Sequence, residues 1–175
     1  VDTAAVTVEP RLLARWVLVL SAAWVLQAGV ATDVRPAGVH PDLLLLVAVC
    51  AGLVGGPARG AGVGFAAGLL ADLFLSGRFG VSALAFAVTG YASGVAGDAV
   101  ARPTRWISVG LVTIASGAGT LLYAAIAHLL GQRTLADPRL GVIVGIVAAV
   151  NGLLALPALA VCRWADRQEP GVRFR

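Results

Sequence analysis

Asp72 stands in the run GLLADLFLSG, residues 68–77, among side chains that otherwise belong in lipid or in a helix core. A carboxylate at bilayer depth costs about 2.5–3.5 kcal/mol on insertion scales, so it is normally held near an interface, paired, or used in function. The other side chains able to do chemistry are equally sparse. Asp42 follows His40-Pro41, Asp98 precedes Arg102 by four residues, His128 closes a long apolar run, and Cys50 and Cys162 sit on different segments. Acid–base catalysis needs a base with an orienting partner, and His128 has no such companion in its stretch. The chain shows no Ser/His/Asp set, metal-ligand spacing, phosphate loop or close carboxylate pair. No catalytic, cofactor-binding or metal-binding residue is therefore expected, and the chain does not read as an enzyme.

Composition explains why polar groups are so few. Of 175 residues, 59% are hydrophobic and 13% charged, and the mean hydropathy is +0.90. A soluble domain carries about 25% charged residues and needs them to cover its surface. An integral membrane protein is expected. All thirteen basic residues are arginines lying singly between apolar runs. Without a basic stripe interleaved with aromatics, the pI near 10 does not indicate nucleic acid. Cys50 and Cys162 read as small apolar packers.

Apolar runs bounded by charge, Pro or Gly predict an all-α bundle of six spans, over about residues 12–31, 43–54, 61–75, 81–100, 106–130 and 140–161. They form a single transmembrane domain over 1–175, ending in a basic cytoplasmic tail over 163–175. The second and third spans are short for a hydrocarbon core about 30 Å thick. Either they thin the membrane locally, or they form one re-entrant hairpin. With the N-terminus inside, Arg11, Arg15, Arg59, Arg102, Arg105, Arg163, Arg167, Arg173 and Arg175 are cytoplasmic, and Arg35, Arg78, Arg133 and Arg139 are outside. This bias predicts a multi-pass plasma-membrane protein with both termini in the cytoplasm; the hairpin alternative removes two crossings together and leaves the termini unchanged. The first run, with Arg11 and Arg15 before it and Gly29-Val30-Ala31 near its end, reads as a retained anchor more than a cleaved signal peptide, because five further runs follow.

On this topology Asp72 lies about one turn from the outer end of the third span, beside Ser76 and Arg78. The second span begins at the same face with Pro41 and Asp42, where an early proline is pre-organised and a carboxylate complements the helix dipole. Two readings of Asp72 stand. In one it pairs with Arg78 or accepts backbone or hydroxyl hydrogen bonds; in the other it faces a partner at an outer rim shared with Asp42 and Arg78. Asp98 is spaced for an ion pair with Arg102. Gly60, Gly64 and Gly68 stack on one helix face, as do Gly90 and Gly94 with Gly97 a turn on, and Gly141 and Gly145. Such rows let helix backbones approach closely; most are expected to pack internally and a subset to face a partner helix. Tyr91 and Asn151, near mid-span, join the packing positions, Asn151 turned inward toward a hydrogen-bond partner. Trp16, Trp24, Trp106 and Trp164 fall mostly near span ends, as interfacial anchors do.

One region adds a pattern. Pro41-Asp42 is followed by leucines, then Gly64-Phe65-x-x-Gly68-Leu69-x-x-Asp72-Leu73, then Gly80, Leu84 and Gly90-Tyr91-x-x-Gly94. The stretch from Pro41 to Gly94 resembles the bacterial rod shape-determining protein MreD family. The resemblance implies a fold related to the substrate-binding subunits of energy-coupling-factor vitamin transporters. It also implies a non-enzymatic scaffold of the cell-elongation, peptidoglycan-synthesising complex. The implied partners are MreC, a RodA-type glycosyltransferase, a class B penicillin-binding protein and MreB, directly or through the complex, all within the lipid bilayer.

Two other functions are distinguishable. A vitamin-binding transport subunit needs a ligand-sized pocket with convergent polar groups, for which the sequence offers Gln27, Asp42, Asp72, His128 and Gln132. A membrane enzyme acting on lipid or peptide bonds would have to turn over substrate alone. For the scaffold, coupling is mechanical: glycine faces make a compact bundle, and Asp42 with Asp72 sets the polarity of the outer rim.

Overall fold

The structure, a computed structural model, describes residues 10–33, 41–74, 79–100, 104–132, 134–135 and 137–167. Its helices are α1 (Pro10–Asp33), α2 (Leu43–Gly55), α3 (Pro57–Phe74), α4 (Val81–Ala99), α5 (Arg105–Leu129), α6 (Leu140–Leu153) and α7 (Ala155–Ala165), and no strand occurs among the described residues. Arg35, His40, Ser76, Arg78, Arg102, Arg133 and the tail from Gln168 lie outside them.

The leucine-rich run after Asp42 is apolar on every side, and a helix of that kind belongs inside a bundle. Leu44 to Gly52 are buried without a break, with α3 and α4 packed closely on α2 and α1, α5 and α7 closing its other sides. Enclosure accounts for its length. Thirteen residues make about 20 Å of helix, too short for lipid contact across a bilayer but sufficient for a central post.

Gly56 alone links α2 to α3, with φ at 81°, a conformation that costs glycine little. The two helices fold back on each other, and α4 packs into the seam. A Cβ on Gly60 or on Gly52 would overlap the Gly90 carbonyl oxygen, one on Gly64 the Phe86 carbonyl, one on Gly68 the Ala83 backbone, and one on Gly94 the backbone at Gly56-Pro57. The rows on α3 and α4 thus close on each other and on α2, backbone to backbone. Gly141 and Gly145 meet nothing within 4 Å and lie on an open face of α6.

The single span expected over 140–161 is two helices, α6 and α7, bent by 61° at Leu154. Pro157 gives the reason. It has no N–H to offer the Leu153 carbonyl, and its ring crowds that group. The ladder instead resumes around the break, from Leu154 N–H to Val150 O and from Ala158 N–H to Leu154 O.

By length and composition, α1 and α5 are each able to cross a membrane, and the bent α6–α7 pair makes a third if it counts as one span. Their outward faces are apolar: Val17 and Leu18 on α1 and Ile114 on α5 are exposed, a surface fit for lipid and not for water. Trp106 and Trp164 are exposed, whereas Trp16 is buried in the core and Trp24 packs against it. Trp16 is thus no belt anchor: its helix face turns toward the bundle with Val19, Leu20 and Ala23.

Candidate functional site

Gln27, Asp42, Asp72, Ser116 and Asn151 are drawn into hydrogen bonds toward one end of the bundle, where α2 and α4 begin and α3 ends. A helix start leaves four backbone N–H groups without intrahelical acceptors. At α2 side chains supply three of them, and the N-cap carbonyl starts the ladder. Gln27 Oε1, from α1, accepts from Leu43 N at 2.9 Å and Leu44 N at 3.2 Å. Asp42 Oδ1 accepts from Leu45 N at 3.0 Å and the Asp42 carbonyl from Leu46 N at 3.1 Å. That carbonyl also accepts from Asn151 Nδ2 of α6 at 3.2 Å, and Asn151 Nδ2 donates to Ser116 Oγ of α5 at 3.1 Å. Asn151 and Ser116 are fully buried. One short helix end therefore ties α1, α5 and α6 together.

Asp72 does the same for α4 from the last turns of α3. Its Oδ2 accepts from Gly80 N at 2.8 Å and Ala83 N at 3.2 Å, and its Oδ1 from Ser82 N at 3.1 Å. The carboxylate is buried, and its charge complements the positive end of the helix dipole. Gly80 takes a φ of 98° as it enters α4, which presents its N–H to the carboxylate at no side-chain cost. Charge-assisted bonds of this kind are about twice as strong as neutral ones, which offsets the burial of the charge.

Asp42 is half-buried just before the first turn of α2. Burial pushes its carboxyl from 3.8 up to about 6, against the lowering effect of the Leu45 and Leu44 N–H groups.

Both aspartates serve as helix caps. Their hydrogen bonds run to backbone N–H groups, and no imidazole or thiol bonds to either among the described residues. No group of three His, Cys, Asp or Glu is placed to hold a metal ion among them. His128 is exposed at the end of α5, its Nδ1 3.1 Å from the Gln132 carbonyl, and Gly131, at φ 88°, ends that helix. The remaining sequence candidates separate. Gly60, Gly64, Gly68, Gly90 and Gly94 lie in the α2–α3–α4 seam. Tyr91, expected among the packing residues, points outward and is half-exposed, because Gly90 and Gly94 take the inward face of α4 and Tyr91 lies about 100° round the helix from Gly90. Asp98 is exposed, and Arg78, a proposed partner of Asp72, lies outside the described residues.

Other relationships had no readable signal. Arg59 at the start of α3 forms an ion pair with Asp166 at the end of α7. Arg15 stacks 5.5 Å from the centre of the Trp164 ring and donates to the Arg167 carbonyl at 2.9 Å. Cys50 and Cys162, free and buried, bring α2 and α7 together at their thiols. Spacing along the chain does not pair such distant residues.

A family model described as rod shape-determining protein MreD matches residues 10–157. No curated protein and no solved structure matches the chain.

Proposed function

The chain belongs to the MreD family of rod shape-determining proteins, and from that premise we propose that it is a non-enzymatic scaffold of the cell-elongation machinery. In this reading it crosses the plasma membrane six times with both termini in the cytoplasm, in a bundle related to the substrate-binding subunits of energy-coupling-factor transporters. It binds MreC and, directly or through the complex, helps position MreB, a RodA-type glycosyltransferase and a class B penicillin-binding protein.

The observation that supports a scaffold is the use made of its carboxylates. Asp42 and Asp72 are committed to helix ends, where they fix helix positions through backbone N–H groups. What such a body offers a partner is its apolar outer surface. Among the spaced glycine pairs, Gly141 and Gly145 are the open one, and we place a partner's transmembrane helix there, where small residues permit close approach.

The test is a pull-down from mild detergent in the native host, with a tag on the C-terminal tail and quantitative mass spectrometry. Recovery of MreC with the synthase pair is expected, reduced by Gly145→Leu at unchanged abundance. Recovery instead of an energy-coupling transmembrane subunit with paired ATPases would overturn the reading.

A further inference from the structure

Opposite the aspartate caps, where α2, α4 and α7 end and α5 begins, two hollows adjoin, with Leu53 and Leu111 lining both. One is a cavity of about 280 Å³ lined by Leu53, Val54, Gly97, Ser108, Leu111, Leu159 and Arg163. The other is an apolar groove of about 270 Å³ between α4 and α5, which shares Leu53 and Leu111 with the cavity and reaches Val88 on α4 and Leu122 on α5. The groove is apolar although Thr89 and Ser93 line it, because Thr89 Oγ1 donates to the Ala85 carbonyl and Ser93 Oγ to the Thr89 carbonyl, each at 2.7 Å. From Leu111 to Leu122 it follows α5 for about 16 Å, close to one leaflet of a hydrocarbon core about 30 Å thick.

The cavity end is polar and positive. Ser108 is only 7% exposed, and its hydroxyl lines the cavity with no hydrogen-bond partner among the described residues. Arg163 lines it too, and the carboxylate that follows α7, Asp166, is taken by Arg59. Thr104 begins α5 without a side-chain capping bond of its own, and the positive end of the helix dipole lies at the same end of the bundle. Arg105, the first residue of α5, adds a second cation to the same end. An anion donor set at a membrane rim, opening into an apolar slot one leaflet long, matches an amphiphile with a negative head.

We propose that this cavity and groove form one site for an anionic glycerophospholipid. Its phosphodiester is held by Ser108 and Arg163 at the start of α5 and the end of α7, and one acyl chain lies between α4 and α5. The arginine bias puts this end in the cytoplasmic leaflet, where anionic lipids attract basic residues. The inference rests on membrane embedding and not on the scaffold reading, so it stands or falls separately from the pull-down.

The test is native mass spectrometry of the full chain in mild detergent, titrated with phosphatidylglycerol or with phosphatidylcholine of the same acyl chains. Phosphatidylglycerol is expected to be retained about fivefold better, and Arg163→Gln to remove most of that preference, the order of one arginine at a membrane surface. Ser108→Ala, which keeps the packing, is expected to act in the same direction, and Ala118→Leu, on the α5 wall of the groove, to fill it and lower retention of both lipids. Unfolding temperatures report that each variant is folded. Equal retention of the two lipids by the native chain would overturn the proposal, as would Arg163→Gln and Ser108→Ala variants that are folded and bind like the native chain. Displacement of the lipid by inorganic phosphate alone would remove the groove from the site and overturn it likewise.

Discussion

Asp72 Oδ2 lies 2.8 Å from the backbone nitrogen of Gly80, so the last turns of α3 cap the start of α4. With the bonds to Ser82 and Ala83, one carboxylate serves three backbone donors. Asp72→Ala is expected to cost about 2–3 kcal/mol, because it leaves buried N–H groups unpaired. Asp72→Asn keeps an acceptor oxygen and is expected to cost about 1 kcal/mol. Thermal unfolding in detergent checks both, and an Ala variant as stable as the native chain would remove the cap from the account. Loss of cell shape in Asp72→Ala cells should then track protein abundance.

The glycine seam makes a prediction by contrast. Gly60→Ala and Gly90→Ala place a methyl group against backbone that cannot move aside as a side chain can, and each is expected to cost about 3 kcal/mol or more, at the upper end for overpacked cores. Gly62 and Gly141 have nothing within 4 Å, and alanine there is expected to be neutral or slightly stabilising through helix propensity. Melting temperatures of the four variants in one detergent decide the matter; uniform effects would show that the seam is looser than described.

How much of this was legible follows from the range of each signal. The apolar run of α2 read as a short span and its enclosure by the other helices did not show, whereas the α3 and α4 glycines repeat every four residues, so their stacking on one face was readable. Which rows close on each other was not, because GxxxG looks the same on Gly64-Gly68, which is sealed, and Gly141-Gly145, which is open. Asp72 was readable as a carboxylate needing a reason, with backbone acceptance among the options. Its three donors depend on how Gly80 turns into α4. The break at Leu154 hides in an unbroken apolar run, and Pro157 alone marked it. Arg59–Asp166 joins residues more than a hundred positions apart, a distance over which one sequence carries no pairing signal.

Asn151 anchors the far side of the bundle. Its amide nitrogen bridges the Asp42 carbonyl and Ser116 Oγ, so Asn151→Ala is expected to lose about 1–2 kcal/mol, the range for interhelical polar contacts in lipid. Ser116→Ala should cost less, since the Asp42 carbonyl keeps its partner. A double-mutant cycle measures the coupling, expected at about 0.5 kcal/mol or more for residues in one network. Strict additivity would mean that the two side chains act independently.

Asp42 sets a dependence on pH. Its carboxyl titrates near 6 in the folded chain against 3.8 in the unfolded one, so between these values the folded state holds the proton more tightly. The contribution of this group is therefore fully present below about pH 4 and is lost as pH rises through about 6, the reverse of a salt-bridged aspartate. Solvent screening of a half-buried group reduces the size to about 1–2 kcal/mol. Asp42→Asn keeps an oxygen for the Leu45 N–H and never ionises. It is expected to flatten the slope of melting temperature between pH 4 and 6.5 and, at pH 7.5, to melt higher than the native chain. A variant that retains the native slope would assign the pH dependence to another group.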